Sequence, residues 1–206
     1  VTGYEDVVRS LGQGASDVVA QLWESVQSGR LSVDEFQTMT AELITVANGK
    51  GASVAEASLR AYVEAETGTV DLSTPTVRAA PTERLHRALG TILASDLDTL
   101  MQLKRLAFNE PLGAASEAYT DGIKRHKSVK GWRRGVELKP CQLCQWWARD
   151  DRVWPSYHPM PRHTGCLCHP IPVISQDIKD LSYAGSASGY DGYRANLDRR
   201  ARGNNN

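Results

Sequence analysis

Apolar positions in the first 70 residues recur at helical spacing. Val7/Val8, Leu11, Val18/Val19, Leu22/Trp23 and Val26 predict a helix over 4–28, weakened by Gly12 and Gly14 in its middle. Ser32-Val-Asp-Glu35 is a capping box, in which hydroxyl and carboxylate each take a backbone N–H the first turn leaves unpaired. The helix it opens runs through Val33, Phe36, Met39/Thr40, Leu43/Ile44 and Ala47, and Asn48-Gly49 predicts its stop. A second such box, Ser53-Val-Ala-Glu56, predicts a third helix through Leu59, Tyr62 and Val63 to Gly68. These three helices would pack as a small bundle over 1–70.

The period lapses over 71–82, a Pro- and Thr-containing linker, and returns strongly over 83–108. There Leu85, Leu89, Ile92/Leu93, Leu97, Leu100/Met101, Leu103 and Leu106 predict one long central helix, with His86 on the surface at its start. A further helix over 114–125 follows Pro111 and Gly113, closing a central region of 83–128. From 129 to 175 the helical period is gone. Val129–Leu138 reads as a hairpin shaped by Gly131 and Gly135, and Ile171–Ile174 as a closing strand kept at an edge by its prolines. Residues 176–206 are rich in Gly, Ser, Tyr and Arg without apolar period, and read as an extended arm ordered by a neighbour. The fold class is therefore mainly α: an N-terminal helical bundle, a long central helix, a small α+β C-terminal module and an extended tail.

Composition changes this picture in one respect. The 206 residues carry no net charge, yet the charge is unevenly spread. Residues 1–71 hold 11 acidic and 4 basic side chains, 72–140 hold 7 and 12, and 141–206 hold 6 and 8. Six cations fall within 124–134 (Lys124, Arg125, Lys127, Lys130, Arg133 and Arg134), with Trp132 among them. Such a segment could contact phosphates, with an aromatic to stack on a base, or an acidic protein surface. A solvated hairpin face is the bland alternative. Arg199, Arg200 and Arg202 extend the same expectation to the arm. No run approaches the ~20 apolar residues of a membrane helix. The opening VTGYEDVVRS lacks the basic and apolar regions of a signal peptide. We therefore expect synthesis in a cytosol with the thiols reduced, and neither a membrane nor a small-molecule substrate as partner.

All four cysteines lie between Pro140 and Val173, with three of the five histidines and three of the five tryptophans. Cys141-x2-Cys144 is a knuckle that puts two thiolates on one side, as tetrahedral zinc requires. His163-x2-Cys166-x-Cys168 follows, offering three donors for two remaining positions. The four ligands thus come from Cys141, Cys144, His163, Cys166 and Cys168, and spacing leaves the choice open. Thiolate with imidazole suits zinc and not calcium or magnesium. Two disulfides or metal-free buried thiols would use the same residues. Pro140-Cys141-x2-Cys144 matches half of a nucleoside-deaminase signature, but no His-x-Glu supplies the other half, and no His-Glu-x2-His is present. Asp150 and Asp151 are adjacent, which is a poor geometry for an acid/base pair. A closed structural zinc site in a protein without catalytic activity is the expectation, with Trp146, Trp147 and Trp154 packed around it.

The order of these residues resembles the C-terminal domain of the MuF-like minor head proteins of tailed phages, also called the phage head morphogenesis domain. The matching residues are Cys141, Cys144, Arg152-Val153-Trp154-Pro155, Pro161, His163, Cys166, Cys168, Pro170 and Pro172-Val173. The resemblance is specific over about 35 residues, weaker over 83–139 and nearly absent over 1–82. Thr164-Gly165 replaces the family's more usual Pro-Asn, and His169 follows the final cysteine. The resemblance implies a few-copy virion protein made in the host cytoplasm. It would be built in at the portal or the nearby major capsid shell, and act in procapsid assembly or touch packaged DNA, or both. The alternative is a zinc-containing DNA-binding protein outside a virion.

Overall fold

A computed structural model of the chain describes residues 2–70, 82–137, 140–148 and 151–174. Residues 71–81 of the linker, and the arm with Arg199, Arg200 and Arg202, lie outside the described residues. Four helices come first: α1 (Thr2–Gln27), α2 (Val33–Thr67), α3 (Thr82–Leu93) and α4 (Thr99–Arg125). Strand β1 (Val129–Gly135), short helix α5 (Gln142–Ala148), β2 (Trp154–Pro155) and β3 (His169–Ile174) follow. The architecture is mainly α with a small three-stranded antiparallel sheet near the C-terminal end.

Helix boundaries depart from the sequence pattern in three places, the first two for a tertiary reason. First, α1 runs unbroken through Gly12 and Gly14. A Cβ on Gly12 would stand 2.7 Å from the Phe108 carbonyl oxygen, so this glycine lets α1 lie close against α4. Second, the two helices expected on either side of Asn48-Gly49 are one helix, α2. Asn48 is buried and its Nδ2 donates to Glu110 Oε2 at 3.3 Å, so it serves a helix contact and not a stop. Gly51 faces the carbonyl of Pro111, with only 2.6 Å between that oxygen and a would-be Cβ. The Ser32–Glu35 box does cap α2, with both reciprocal bonds formed. Ser53 lies mid-helix and donates back to the Gly49 carbonyl at 2.9 Å, while Glu56 is buried and paired with Arg125. Third, the long central helix breaks after Leu93. Asp98 caps a new start by accepting from the Met101 N–H at 2.9 Å, and α4 then continues through Pro111 to Arg125. Pro111 is fully buried where α2 crosses, which offsets the hydrogen bond it cannot make.

Two apolar cores run along this frame. One joins Val19, Phe36, Ile44, Leu85, Leu89 and Leu103 between α1, α2, α3 and the start of α4. The other joins Leu59, Val63, Tyr119 and Ile123 of α2 and α4 to Trp132, Leu167 and Ile174 of the sheet. Cys144, Cys166 and Cys168 belong to that second core, so the cysteine stretch is packed onto the helices.

Where a hairpin is expected over 129–138, the described residues form a single central strand, Val129–Gly135. The sheet order is β2-β1-β3, with Trp132 opposite Trp154 on one side and Pro172 on the other. An irregularity between Val129 and Gly131 shifts the alternation, so Lys130 and Arg133 face outward while Trp132 and Arg134 face inward. At the edge, β3 carries Pro170 and Pro172, which offer no N–H to a further strand.

Candidate metal centre

The first knuckle is built by the start of α5. Cys141 precedes the helix, the Cys144 N–H donates to its Sγ at 3.4 Å, and the Gln145 N–H donates to its carbonyl at 3.0 Å. These bonds turn both sulfurs to one side. The second knuckle is the His163–Cys166 turn, closed by the Cys166 N–H on the His163 carbonyl at 3.2 Å. Gly165 supplies the left-handed residue this turn needs (φ +78°). From α4, the Asn109 carboxamide oxygen accepts the Gly165 N–H, and within the loop itself Arg162 Nη2 donates to the Cys166 carbonyl at 3.4 Å. The helical frame therefore holds the second knuckle in place. Asn109 gave no sign of this in the sequence, because its partner is a backbone N–H distant in the chain.

The two knuckles face each other. His163 Nε2 lies 3.2 Å from Cys141 Sγ and 3.1 Å from Cys144 Sγ, and Cys144 Sγ lies 3.6 Å from Cys166 Sγ. Zinc–ligand distances imply about 3.7 Å between sulfurs and about 3.5 Å from sulfur to nitrogen around a tetrahedron. His163 Nδ1 lies 2.9 Å from the Thr164 carbonyl oxygen. That contact favours the proton on Nδ1 and leaves Nε2 as a donor for a metal. Cys141, Cys144 and His163 form one group whose ligand atoms lie within 4.8 Å of one another, and Cys144, Cys166 and Cys168 form a second. Cys144 is common to both. This Cys/His group could hold a metal ion.

The electrostatics suit a cation. Burial, then the neighbouring thiols, pushes Cys144 up to about 12. Cys168 is raised well above the ordinary thiol range, first by its bond with Cys166 and then by burial. Cys141 is lowered, chiefly by the Cys144 N–H, and Cys166 is lowered chiefly by its bond with Cys168. Crowded thiols cannot all ionise unless a positive charge enters among them.

Around the group, aromatic packing is mostly internal. Trp147 lies against His163 with ring centroids 6.3 Å apart, and the Arg134 guanidinium sits 5.0 Å over Trp147. Trp154 is covered by Arg152 at 4.1 Å and by His158 at 4.4 Å. Trp146, expected to pack around the site as well, is 59% exposed. His169 is not at the centre. It is buried against Tyr4 and Tyr119, with Nδ1 3.1 Å from Glu5 Oε1. That nitrogen makes no hydrogen bond, so we read the approach as a neutral contact. Burial supports this reading, since it lowers His169 to about 4 and raises Glu5.

The expected basic surface is smaller than the sequence suggests. Trp132 is 1% exposed and its Nε1 donates to the His158 carbonyl at 2.9 Å, so it offers no face to a base. Arg134 is 3% exposed and donates to the Pro161 carbonyl. Arg125 pairs with buried Glu56, and Lys124 with Asp121 at 3.1 Å. Lys127, Lys130 and Arg133 are exposed, with Arg133 3.8 Å from Asp151. Among the described residues no helix is long and apolar enough to cross a membrane.

No protein-family model, curated protein or solved structure matches the chain.

Proposed function

We propose that this chain is a minor structural head protein of a tailed phage, fastened near its C-terminal end by a structural zinc ion. The observation that carries the reading is the donor set. Two knuckles of the spacing that resembles the MuF-like domain face each other, with His163 Nε2 against Cys141 and Cys144, and Cys166 against Cys144. Donors of this softness favour zinc. Filling the site from protein alone leaves no position for substrate or water, which is the arrangement of a structural site. Bound there, zinc would supply folding energy to a segment that has little apolar core of its own.

A head protein of this kind would dock on portal or capsid subunits and reach packaged DNA through its remaining exposed cations. Detection in purified particles at a fixed low copy number tests the reading, and recovery only as free protein in host cytosol would overturn it. The exposure of Lys127, Lys130 and Arg133 favours a second reading, a zinc-containing DNA-binding protein outside the virion. Under either, DNA affinity would fall steeply with salt and weaken on neutralising these residues. Salt-insensitive binding would remove DNA from the list of partners.

A further inference from the structure

Five donors crowd a site that needs four, and the leftover one is placed where it can act. Resting on the zinc reading above, we propose that Cys141, Cys144, His163 and Cys166 are the ligands. Cys168 is then a reserve thiol that forms a disulfide with Cys144 under peroxide, releasing the metal while keeping the two segments joined.

The assignment follows from local geometry. Cys141/Cys144 and His163/Cys166 are the two turns closed by their own backbone bonds, and they meet through Cys144, whose Sγ lies 3.1 Å from His163 Nε2 and 3.6 Å from Cys166 Sγ. Cys168 lies beyond the second turn, immediately before β3, and belongs only to the group with Cys144 and Cys166. It is buried at 3% exposure, within 4.8 Å of both sulfurs. A thiol not bound to metal, touching two that are, is the nucleophile at hand once a ligand is oxidised.

The chemistry balances with a peroxide as oxidant. The Cys144 thiolate attacks hydrogen peroxide, an S–O bond forms as the O–O bond breaks, the departing hydroxide takes a proton from solvent to leave as water, and the sulfur lets go of the metal. The Cys168 sulfur then attacks the sulfenic sulfur. The S–S bond forms as the S–O bond breaks, and the thiol proton leaves with the hydroxyl group as a second water. A thiolate, a thiol and one solvent proton have become a disulfide, and peroxide has become two waters. Of the ligands Cys168 touches, Cys144 is the one on a different element. A Cys144–Cys168 bond ties α5 to the start of β3, the join the metal makes in the reduced state. A Cys166–Cys168 bond, between residues two apart, would tie nothing together.

The test compares reduced, zinc-loaded full chain with Cys168→Ser and Cys166→Ser. Zinc release on adding hydrogen peroxide is followed with a colorimetric chelator, and disulfides are mapped by peptide mass. We expect Cys168→Ser to load zinc as the wild type does and Cys166→Ser to lose loading. In the wild type, peroxide should release zinc with appearance of the Cys144–Cys168 peptide pair, and thiol reductant plus zinc should restore the metal. Cys168→Ser should lose that peptide pair and the reversibility. Normal zinc loading by Cys166→Ser, weakened loading by Cys168→Ser, a disulfide that excludes Cys168, or zinc retention by oxidised wild type would each overturn the proposal. If reduced wild type takes up no zinc at all, the underlying metal reading fails first, and that result is seen before any oxidant is added.

Discussion

Replacing Gly51 by alanine tests whether the glycines of the helical frame are contact points. In an isolated helix alanine is favoured over glycine by about 0.5–1 kcal/mol. In this fold the added Cβ would stand 2.6 Å from the Pro111 carbonyl oxygen, against 3.4 Å or more in an ordinary contact. Relief must come from moving α2 and α4 apart, because the obstructing atom is backbone. Overpacking of this kind costs about 1–3 kcal/mol. Set against the propensity gain, Gly51→Ala should lose about 1–2 kcal/mol, or roughly 3–6 °C in Tm for a chain of this size. Gly49, two residues earlier, would meet nothing within 4 Å, so Gly49→Ala should gain about 0.5–1 kcal/mol. Urea denaturation of both variants, at one zinc concentration, reads the two signs. A Gly51→Ala protein as stable as wild type, or a Gly49→Ala protein that is less stable, would refute the packing of α2 on α4 described above.

Other substitutions probe different parts of the frame. Ser32→Ala removes the side chain that accepts the Glu35 N–H and should cost about 1 kcal/mol by the same assay. Arg125→Met strips the partner from buried Glu56. It should cost about 1–3 kcal/mol after discounting for the half-exposed arginine, and adding Glu56→Gln should recover much of that. His169 is held near 4 by burial, while the unfolded chain takes up this proton near 6.5. Its contribution is therefore complete above pH 6.5 and is lost as pH falls from there through 4, on the order of 3 kcal/mol in all. His169→Gln should show a shallower loss of stability across that window, and an unchanged slope would contradict the neutral buried histidine.

How far the sequence could be read depended on whether a feature was local. The Ser32–Glu35 box, the apolar period of 83–93 and the edge position of a strand with two prolines need only near neighbours, and all are present in the fold. Gly12, Asn48-Gly49 and Pro111 carry the same local signals as true breaks, but they sit where helices cross. Their meaning lies in residues some 60–100 positions away, which no local pattern contains. The break before α4 was hidden for the opposite reason. Leu97, Leu100 and Met101 keep the helical spacing although they are exposed, and the decisive signal was the single cap Asp98. The cysteine spacing placed the candidate centre correctly because each knuckle is built within four residues. Arg134 and Trp132 looked like surface chemistry because they fall in a run of six cations, and the irregularity near Lys130 leaves Lys130 and Arg133 outward while those two point inward.

The most direct test is the metal shell itself. Zinc in reduced, purified chain should be seen by X-ray absorption with sulfur neighbours from Cys141, Cys144 and Cys166 and a nitrogen from His163. Removing the metal by chelation should lower the urea midpoint and release the second knuckle from α4. A reduced chain that is fully folded without metal, or a zinc ion with a bound water in place of one of these donors, would contradict the structural staple.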